Sequence, residues 1–144
     1  MASPNSLDFG TVVFVDTAAW IALINSGDML HRPAIRIMKE LAHRRARLVT
    51  TEFMLLETAD ALCSAAIRAH TMSFLDGIRR LPALEIVPVS EQLFTDGWKL
   101  FCQRPDKDWG LTDCSSFALM TVRQIYHAFT SDLHFEQAGF LRLM

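Results

Sequence analysis

The stretch VVFVDTAAWIALI, residues 12–24, is apolar almost throughout, yet it places Asp16 at its centre. Its first part is a β-branched run typical of a buried parallel strand. The following TAAWIALINS predicts a helix with Asp16 or Thr17 as its N-cap. Because an uncompensated carboxylate in an apolar core costs several kcal/mol, Asp16 needs a favourable partner at the end of this strand.

Strand-like and helical patterns alternate along the rest of the chain, and Pro88 marks one strand as a plausible sheet edge. The alternation predicts right-handed crossovers and a mostly parallel central sheet covered on both faces. We therefore expect one three-layer α/β domain over residues 1–144. The predicted helices are 17–26, 31–46, 52–70, 71–81, 90–103 and 111–125, and the predicted strands are 11–16, 47–51, 84–89, 126–131 and 139–144.

The composition excludes disorder, since 51% of the 144 residues are hydrophobic and only 21% are charged. A net charge of −2 provides no general basic field for nucleic acid. The dense cationic group HRRAR, residues 43–47, is interpreted as a solvated helix end or, less favourably, a phosphate-contacting patch.

The start, MASPNSLDFG, lacks the basic head of a signal peptide, and the three cysteines lack metal-ligand spacing. These features predict a cytoplasmic protein without a membrane span.

Four acids occupy positions where a carboxylate is unexpected or where ligands bind. Asp16 and Asp132 end predicted strands, Asp113 begins the helix after the loop RPDKDWG, and Glu57 lies inside an apolar helix. Taken one at a time, three of these acids have a local structural explanation. Asp16 can be a helix N-cap, Asp113 can complement a helix dipole, and Asp132 can be a turn residue. Glu57, flanked by leucine and alanine, has no comparable explanation.

The four acids together favour a cation site. In an open parallel sheet, ligands bind outside the carboxyl ends of the strands. Carboxylates gathered there repel one another and raise each other's pKa, and a divalent cation removes that repulsion. Oxygen ligands without a histidine or cysteine cluster suit Mg²⁺ or Mn²⁺ better than zinc. Asp16 is thus predicted to be a metal ligand at the edge of the core.

Four segments of the chain resemble PIN-domain ribonucleases, most closely their VapC-like toxin branch. They are FVDTAAWIALINSGDMLHRPA, VTTEFMLLETADAL, DKDWGLTDCSSFALM and AFTSDLHFEQAGFLRL, and the last two together are specific. The resemblance implies a three-layer α/β/α PIN-like fold and a Mg²⁺- or Mn²⁺-dependent endoribonuclease. It also implies a homodimer in many members, and inhibition of toxic members by a partner antitoxin.

The resemblance also implies roles for individual residues. The catalytic and metal-binding residues would be Asp16, Glu57 (not Glu52), Asp113 and Asp132. Supporting hydroxyls would come from Thr112, Thr17 and Thr130, and Asp108 is either a fifth acid of the site or a solvated loop residue. The motif around Asp132 includes Thr130, His134, Phe135 and Gly139. The implied reaction is attack on an RNA phosphodiester by a water that the metal activates.

Several alternatives remain open at this point. Trp109 stacks on a base or, more simply, anchors its loop. Cys114 fits a small buried residue better than a nucleophile, because no histidine pairs with it in the sequence. An aspartyl-phosphate phosphatase commonly has a second aspartate where Ala18 stands, and a receiver domain would need a lysine near the strand ends. The main rival is a non-catalytic PIN-like module that binds RNA or protein, which metal binding and turnover would distinguish.

Overall fold

The computed structural model describes residues 7–144, so most of the segment that bears on a signal peptide, residues 1–6, lies outside the described residues. The strands are β1 (Val12–Val15), β2 (Arg47–Thr51), β3 (Leu84–Val87), β4 (His127–Phe129) and β5 (Leu141–Arg142). The helices are α1 (Thr17–Ile24), α2 (His31–His43), α3 (Glu52–Ala61), α4 (Arg68–Ile78), α5 (Glu91–Gln103), α6 (Leu111–Val122) and α7 (Leu133–Gln137).

The five strands form one sheet in the order β3-β2-β1-β4-β5, and every pairing is parallel. The predicted α/β/α architecture is confirmed, and the sheet is wholly rather than mostly parallel. Strand β1 lies at its centre, where Phe14 is in register with Val49 on one side and Ala128 on the other. The strand before Pro88 lies at an edge of the sheet, as its proline predicts.

Aromatic side chains fill the core on both faces of the sheet. Phe14 of β1 stacks beside Phe135 of α7, whose ring meets Phe117 of α6 edge-on at 4.9 Å between centroids. Val13, the residue before Phe14, points to the opposite face of the sheet, since successive residues of a strand point to opposite sides. There Trp20 of α1 meets Phe74 of α4 edge-on. The continuous apolar run of β1 is therefore explained by burial on both faces.

The predicted helix over 52–70 is wrong, because two helices occupy that segment. Helix α3 ends at Ala61, and α4 begins at Arg68 after a turn. The Arg68 guanidinium closes this turn by donating from Nε and Nη2 to the Cys63 carbonyl at 2.8 and 2.6 Å. Leu62 stays buried across the break, so the apolar pattern continues where the helix does not. Hydrophobic periodicity alone could not mark this boundary.

The carboxyl ends of the parallel strands bring three loops to one edge of the sheet. Asp16 follows β1, Glu52 follows β2, and Thr130 follows β4. The cationic group of residues 43–47 runs from the end of α2 to the first residue of β2 and therefore lies at the opposite edge. There Arg44 pairs with Glu40 one helical turn away. Among residues 7–144, every helix is too short or too polar to cross a lipid bilayer.

Candidate functional site

Asp16 lies at the N-terminus of α1 with only 6% of its surface exposed. Its Oδ2 accepts hydrogen bonds from the Thr130 hydroxyl at 2.7 Å and from the Ala18 backbone N–H at 3.4 Å. Burial raises the pKa of Asp16 to about 6; the Thr130 hydrogen bond works against this rise, and the charge of Asp113 adds to it. A cation close to Asp16 would therefore stabilise its ionised form.

Asp113 and Asp132 face each other across the imidazole of His134. Asp113 is the third residue of α6, and its Oδ2 accepts from the Gly110 backbone N–H at 3.1 Å. Asp132 caps the short helix α7, and its Oδ1 accepts from the His134 backbone N–H at 2.9 Å. His134 Nδ1 lies 3.4 Å from both Asp113 Oδ2 and Asp132 Oδ1. One ligand atom from each of these three residues falls within 4.8 Å of the others.

The surroundings of Asp113 perturb its ionisation. Burial raises the pKa of Asp113 above its ordinary value, and the charge of Asp132 raises it further. The Gly110 N–H and the His134 imidazole act in the opposite direction without cancelling the rise. Two carboxylates this close favour a shared proton or cation, which is the electrostatic situation expected of an acidic metal site.

Glu57 is linked to the site by a hydrogen bond from Thr17, the residue that follows Asp16. The Thr17 hydroxyl donates to Glu57 Oε2 at 3.0 Å, although 40 positions separate the two residues in the chain. Glu57 is half-buried on α3 and lies outside the cluster of Asp113, Asp132 and His134. Its position beside the first strand end agrees with the predicted acidic edge.

The three predicted supporting threonines occupy different environments. Thr130 joins two acids, because its hydroxyl donates to Asp16 and accepts from the Asp132 backbone N–H at 3.0 Å. Thr17 holds Glu57 as described. Thr112 lines a small apolar pocket beside Phe94 of α5 and Phe53 of α3. Asp108 is exposed in the loop before α6, and its role in the site stays a prediction.

His134 belongs to the predicted motif around Asp132 but was not predicted as a ligand, and the structure places its imidazole beside Asp113 and Asp132. Helix α7, which carries it, was also missed, because five residues are too few to show a helical period. The available signal was the spacing Asp132-Leu133-His134 directly after a strand. Such spacing places a histidine in the first turn of any helix that Asp132 caps.

Trp109 and Cys114, both near Asp113, have structural roles. Trp109 is 5% exposed, packs edge-on against Phe117 at 5.1 Å, and donates from Nε1 to Gln137 at 3.2 Å. The loop-anchor interpretation is therefore confirmed. Cys114 is buried, and burial raises the pKa of its thiol, which disfavours a thiolate nucleophile.

Comparison with known protein families places this geometry in context. The PIN domain family model matches residues 13–141, a span that includes all four predicted acids. This chain belongs to the PIN domain family. One relative is the 23S rRNA-specific endonuclease VapC20 of Mycobacterium tuberculosis, which is 28% identical over 142 residues. That alignment covers 92% of this chain and 98% of the relative.

Solved structures of other proteins are similar to this chain over nearly its whole length. The crystal structure of M. tuberculosis VapC20, described as a sarcin-ricin loop cleaving toxin, superposes with a TM-score of 0.79 at 27% identity. The superposition covers 90% of this chain and 96% of VapC20. VapBC2 from Rickettsia felis superposes with a TM-score of 0.69 at 15% identity, over 92% of this chain and 97% of the other, and supports the fold. The resemblance to VapC-like PIN-domain ribonucleases is confirmed.

Proposed function

We propose that this PIN domain is a Mg²⁺- or Mn²⁺-dependent endoribonuclease, with Asp16, Glu57, Asp113 and Asp132 as its acidic site. The observation that carries the proposal is the cluster of Asp113, Asp132 and His134 beside buried Asp16 at the carboxyl edge of the sheet. Ligand sites of open α/β sheets form at this edge. Asp16, Asp113 and Asp132 each accept a capping hydrogen bond at the start of a helix, but capping alone does not require the three carboxylates to lie close together.

The donor set fits a divalent cation. His134 Nδ1 is shielded from solvent and lacks a hydrogen-bond partner among the described residues, although two carboxylates lie close to it. Burial, and to a smaller extent a neighbouring acid, raise the pKa values of Asp16 and Asp113, and a bound cation would offset both effects. Asp113 and Asp132 would hold the ion, with Asp16 and Glu57 completing the site directly or through waters.

The surrounding residues position these acids. A divalent cation held by these acids would offset their repulsion and supply Lewis-acid activation of a water for attack on the phosphodiester. Thr130 orients Asp16 and fixes the backbone of Asp132. Thr17 directs Glu57 toward the same edge. The protein thus contributes a preorganised set of oxygens, which reduces the reorganisation needed during hydrolysis.

Ribosomal RNA is the substrate to test first, because the relative VapC20 is a 23S rRNA-specific endonuclease. Purified protein is incubated with ribosomes in Mn²⁺ or Mg²⁺, and cleavage is mapped by primer extension. We expect cleavage that EDTA and Asp113→Asn abolish. The control Asp106→Asn removes an exposed carboxylate seven positions earlier and should leave cleavage intact. An Asp113→Asn variant as active as wild type would refute the site.

Glu57 provides an independent test of the proposed site. Glu57→Gln keeps the size of the side chain and an acceptor for the Thr17 hydroxyl, but removes the charge. We expect loss of cleavage with unchanged circular dichroism and unfolding midpoint. Glu52→Gln is the matched control, since Glu52 lies in the first turn of the same helix. Equal activity of both variants would remove Glu57 from the mechanism.

We further propose that an antitoxin inhibits the enzyme, with an apolar cleft of about 350 Å³ as its anchoring site. This cleft lies between α2 and α4, and its walls are almost wholly apolar, as expected where a partner buries apolar side chains. The lining includes Trp20, Leu23, Ile35, Met38, Phe74 and Ile78.

The antitoxin site is tested at the rim of the cleft. The partner to use is the product of a small reading frame beside the gene, if co-expression shows that it suppresses cleavage. Met38→Glu places a charge in the half-buried rim and should weaken inhibition while cleavage continues. Lys39→Glu changes the exposed neighbouring residue and should leave inhibition unchanged. Equal inhibition of both variants would place the antitoxin elsewhere.

A homodimer is proposed from the exposed face of α5. Phe94, Trp98 and Phe101 recur at helical spacing with 50%, 50% and 40% of their surface exposed, and the last two rings stack. Such an aromatic stripe is typical of an interface. Light scattering should give twice the monomer mass, and Trp98→Asp should halve it, whereas Lys99→Asp should not. A monomeric wild type would refute the dimer.

A further inference from the structure

The imidazole of His134 occupies an unusual position for a group that is not part of a metal site. Its Nδ1 atom is inaccessible to solvent, whereas 31% of the side chain is exposed, so the exposure belongs to other ring atoms. Nδ1 lies equally far from Asp113 Oδ2 and Asp132 Oδ1. Neither contact meets hydrogen-bond geometry. The ring therefore directs a nitrogen into the acidic cluster without satisfying it there.

We infer that His134 Nδ1 is a direct metal ligand, and that this nitrogen makes the site prefer Mn²⁺ over Mg²⁺. The inference rests on the proposed function, because it assumes that the acidic cluster binds the catalytic cation. Mg²⁺ is a hard ion that takes oxygen ligands and keeps much of its water. Imidazole suits transition metals better, and a nitrogen among oxygens therefore shifts selectivity toward Mn²⁺.

The spacing of the donor atoms agrees with coordination of one ion. Ligand atoms about 2.1 Å from an octahedral ion lie about 3 Å apart at adjacent corners. Nδ1 is 3.4 Å from each carboxylate oxygen and all three atoms lie within 4.8 Å of one another, so small side-chain movements would bring the three to one ion. Coordination through Nδ1 requires the proton to sit on Nε2, the nitrogen that faces away from the two carboxylates.

The backbone supports this arrangement. The His134 N–H donates to Asp132 Oδ1, and its carbonyl accepts from Ala138 at 3.0 Å. The next residue, Phe135, is completely buried among the core aromatics. The position of His134 is therefore set by the capping of α7 and by the core. A side chain held this way loses little further entropy on binding a metal.

Pulsed electron paramagnetic resonance of the Mn²⁺ complex tests the inference directly, because a coordinated imidazole nitrogen gives a ¹⁴N modulation. Purified wild-type protein is compared with His134→Asn, His134→Asp and His43→Gln, and calorimetry gives the Mn²⁺ and Mg²⁺ affinities of each. His43→Gln removes an exposed histidine at the end of α2 and serves as the matched control. Circular dichroism verifies that each variant is folded.

We expect ¹⁴N modulation in wild type and in His43→Gln, and its loss in both His134 variants. His134→Asn should weaken Mn²⁺ binding by about tenfold or more, since even residues behind the ligands contribute 10- to 100-fold. His134→Asp should retain binding and lower the Mn²⁺ to Mg²⁺ affinity ratio. Mn²⁺ binding without His134-dependent modulation would overturn the inference and leave the proposed function intact. Absence of Mn²⁺ binding, with Asp113→Asn no different, would overturn both.

Discussion

Substitution of Asp16 by asparagine should stabilise the metal-free protein at neutral and alkaline pH, even though it removes a proposed catalytic residue. Asp16 is 6% exposed, and burial is the main reason that its pKa rises from 3.8 to about 6. Asparagine keeps a side-chain oxygen for the Thr130 and Ala18 donors. The substitution therefore removes the cost of a buried charge while preserving the local hydrogen bonds.

The size of the effect follows from the shift in pKa. A carboxyl group whose pKa is raised in the folded state binds its proton more tightly there than in the unfolded chain. Its favourable contribution is therefore complete below pH 3.8 and is lost as pH rises through about 6. A shift of roughly two units corresponds to about 3 kcal/mol of unfolding free energy. Asp16→Asn should gain up to this amount at pH 8 and little at pH 4.

Urea unfolding in EDTA, followed by circular dichroism at pH 4 and pH 8, measures this difference. Asp108→Asn controls for the change in net charge, because Asp108 is exposed. A third arm adds saturating Mn²⁺ at pH 8. The cation should stabilise wild type by mass action and have a smaller effect on Asp16→Asn.

An Asp16→Asn variant less stable than wild type at pH 8 without metal would refute the reasoning. It would mean that the Thr130 and Ala18 hydrogen bonds stabilise the carboxylate more than burial destabilises it. A gain that is the same at both pH values would also contradict it, because the gain would then not arise from ionisation of Asp16.

Two further predictions concern packing and positioning. Gly97→Ala should lower the unfolding free energy by about 1–3 kcal/mol, because a Cβ there would lie 2.8 Å from the Ser115 backbone. The control Gly77→Ala, on a helix with open space around it, should raise the same quantity in urea unfolding by about 0.5–1 kcal/mol. Equal effects of the two would contradict the close α5–α6 contact. Thr130→Val should raise the pKa of Asp16, measured by NMR titration, and weaken Mn²⁺ binding in calorimetry. An unchanged Asp16 titration would show that the 2.7 Å hydrogen bond contributes nothing to that carboxylate.

The local sequence was sufficient to predict the order of the main helices and strands. It was also sufficient to predict the strand ends that carry Asp16 and Asp132. Apolar runs report burial directly, and alternation of strands with helices permits few parallel topologies. The acids could be assigned to one edge because parallel strands all end on the same side of a sheet. Glu57 could be selected as a candidate for the same site because a carboxylate on an apolar helix face has no local structural explanation.

Local sequence could not reveal the break between α3 and α4 or the short helix α7. Burial of Leu62 continues the apolar pattern through the break, and the Arg68–Cys63 contact that shapes the turn is a side-chain geometry. Helix α7 has too few residues for a period, and its existence depends on Asp132 as a cap and Phe135 in the core.

The sequence by itself determined that this chain is a parallel α/β protein with acids at the carboxyl ends of its strands. Only the tertiary structure decided which groups meet there: Thr130 with Asp16 across 114 positions, and Thr17 with Glu57 across 40. It also decided that His134 lies between Asp113 and Asp132. The physical reason is that residue patterns record each side chain's own burial, whereas strand register and helix packing determine which distant side chains touch.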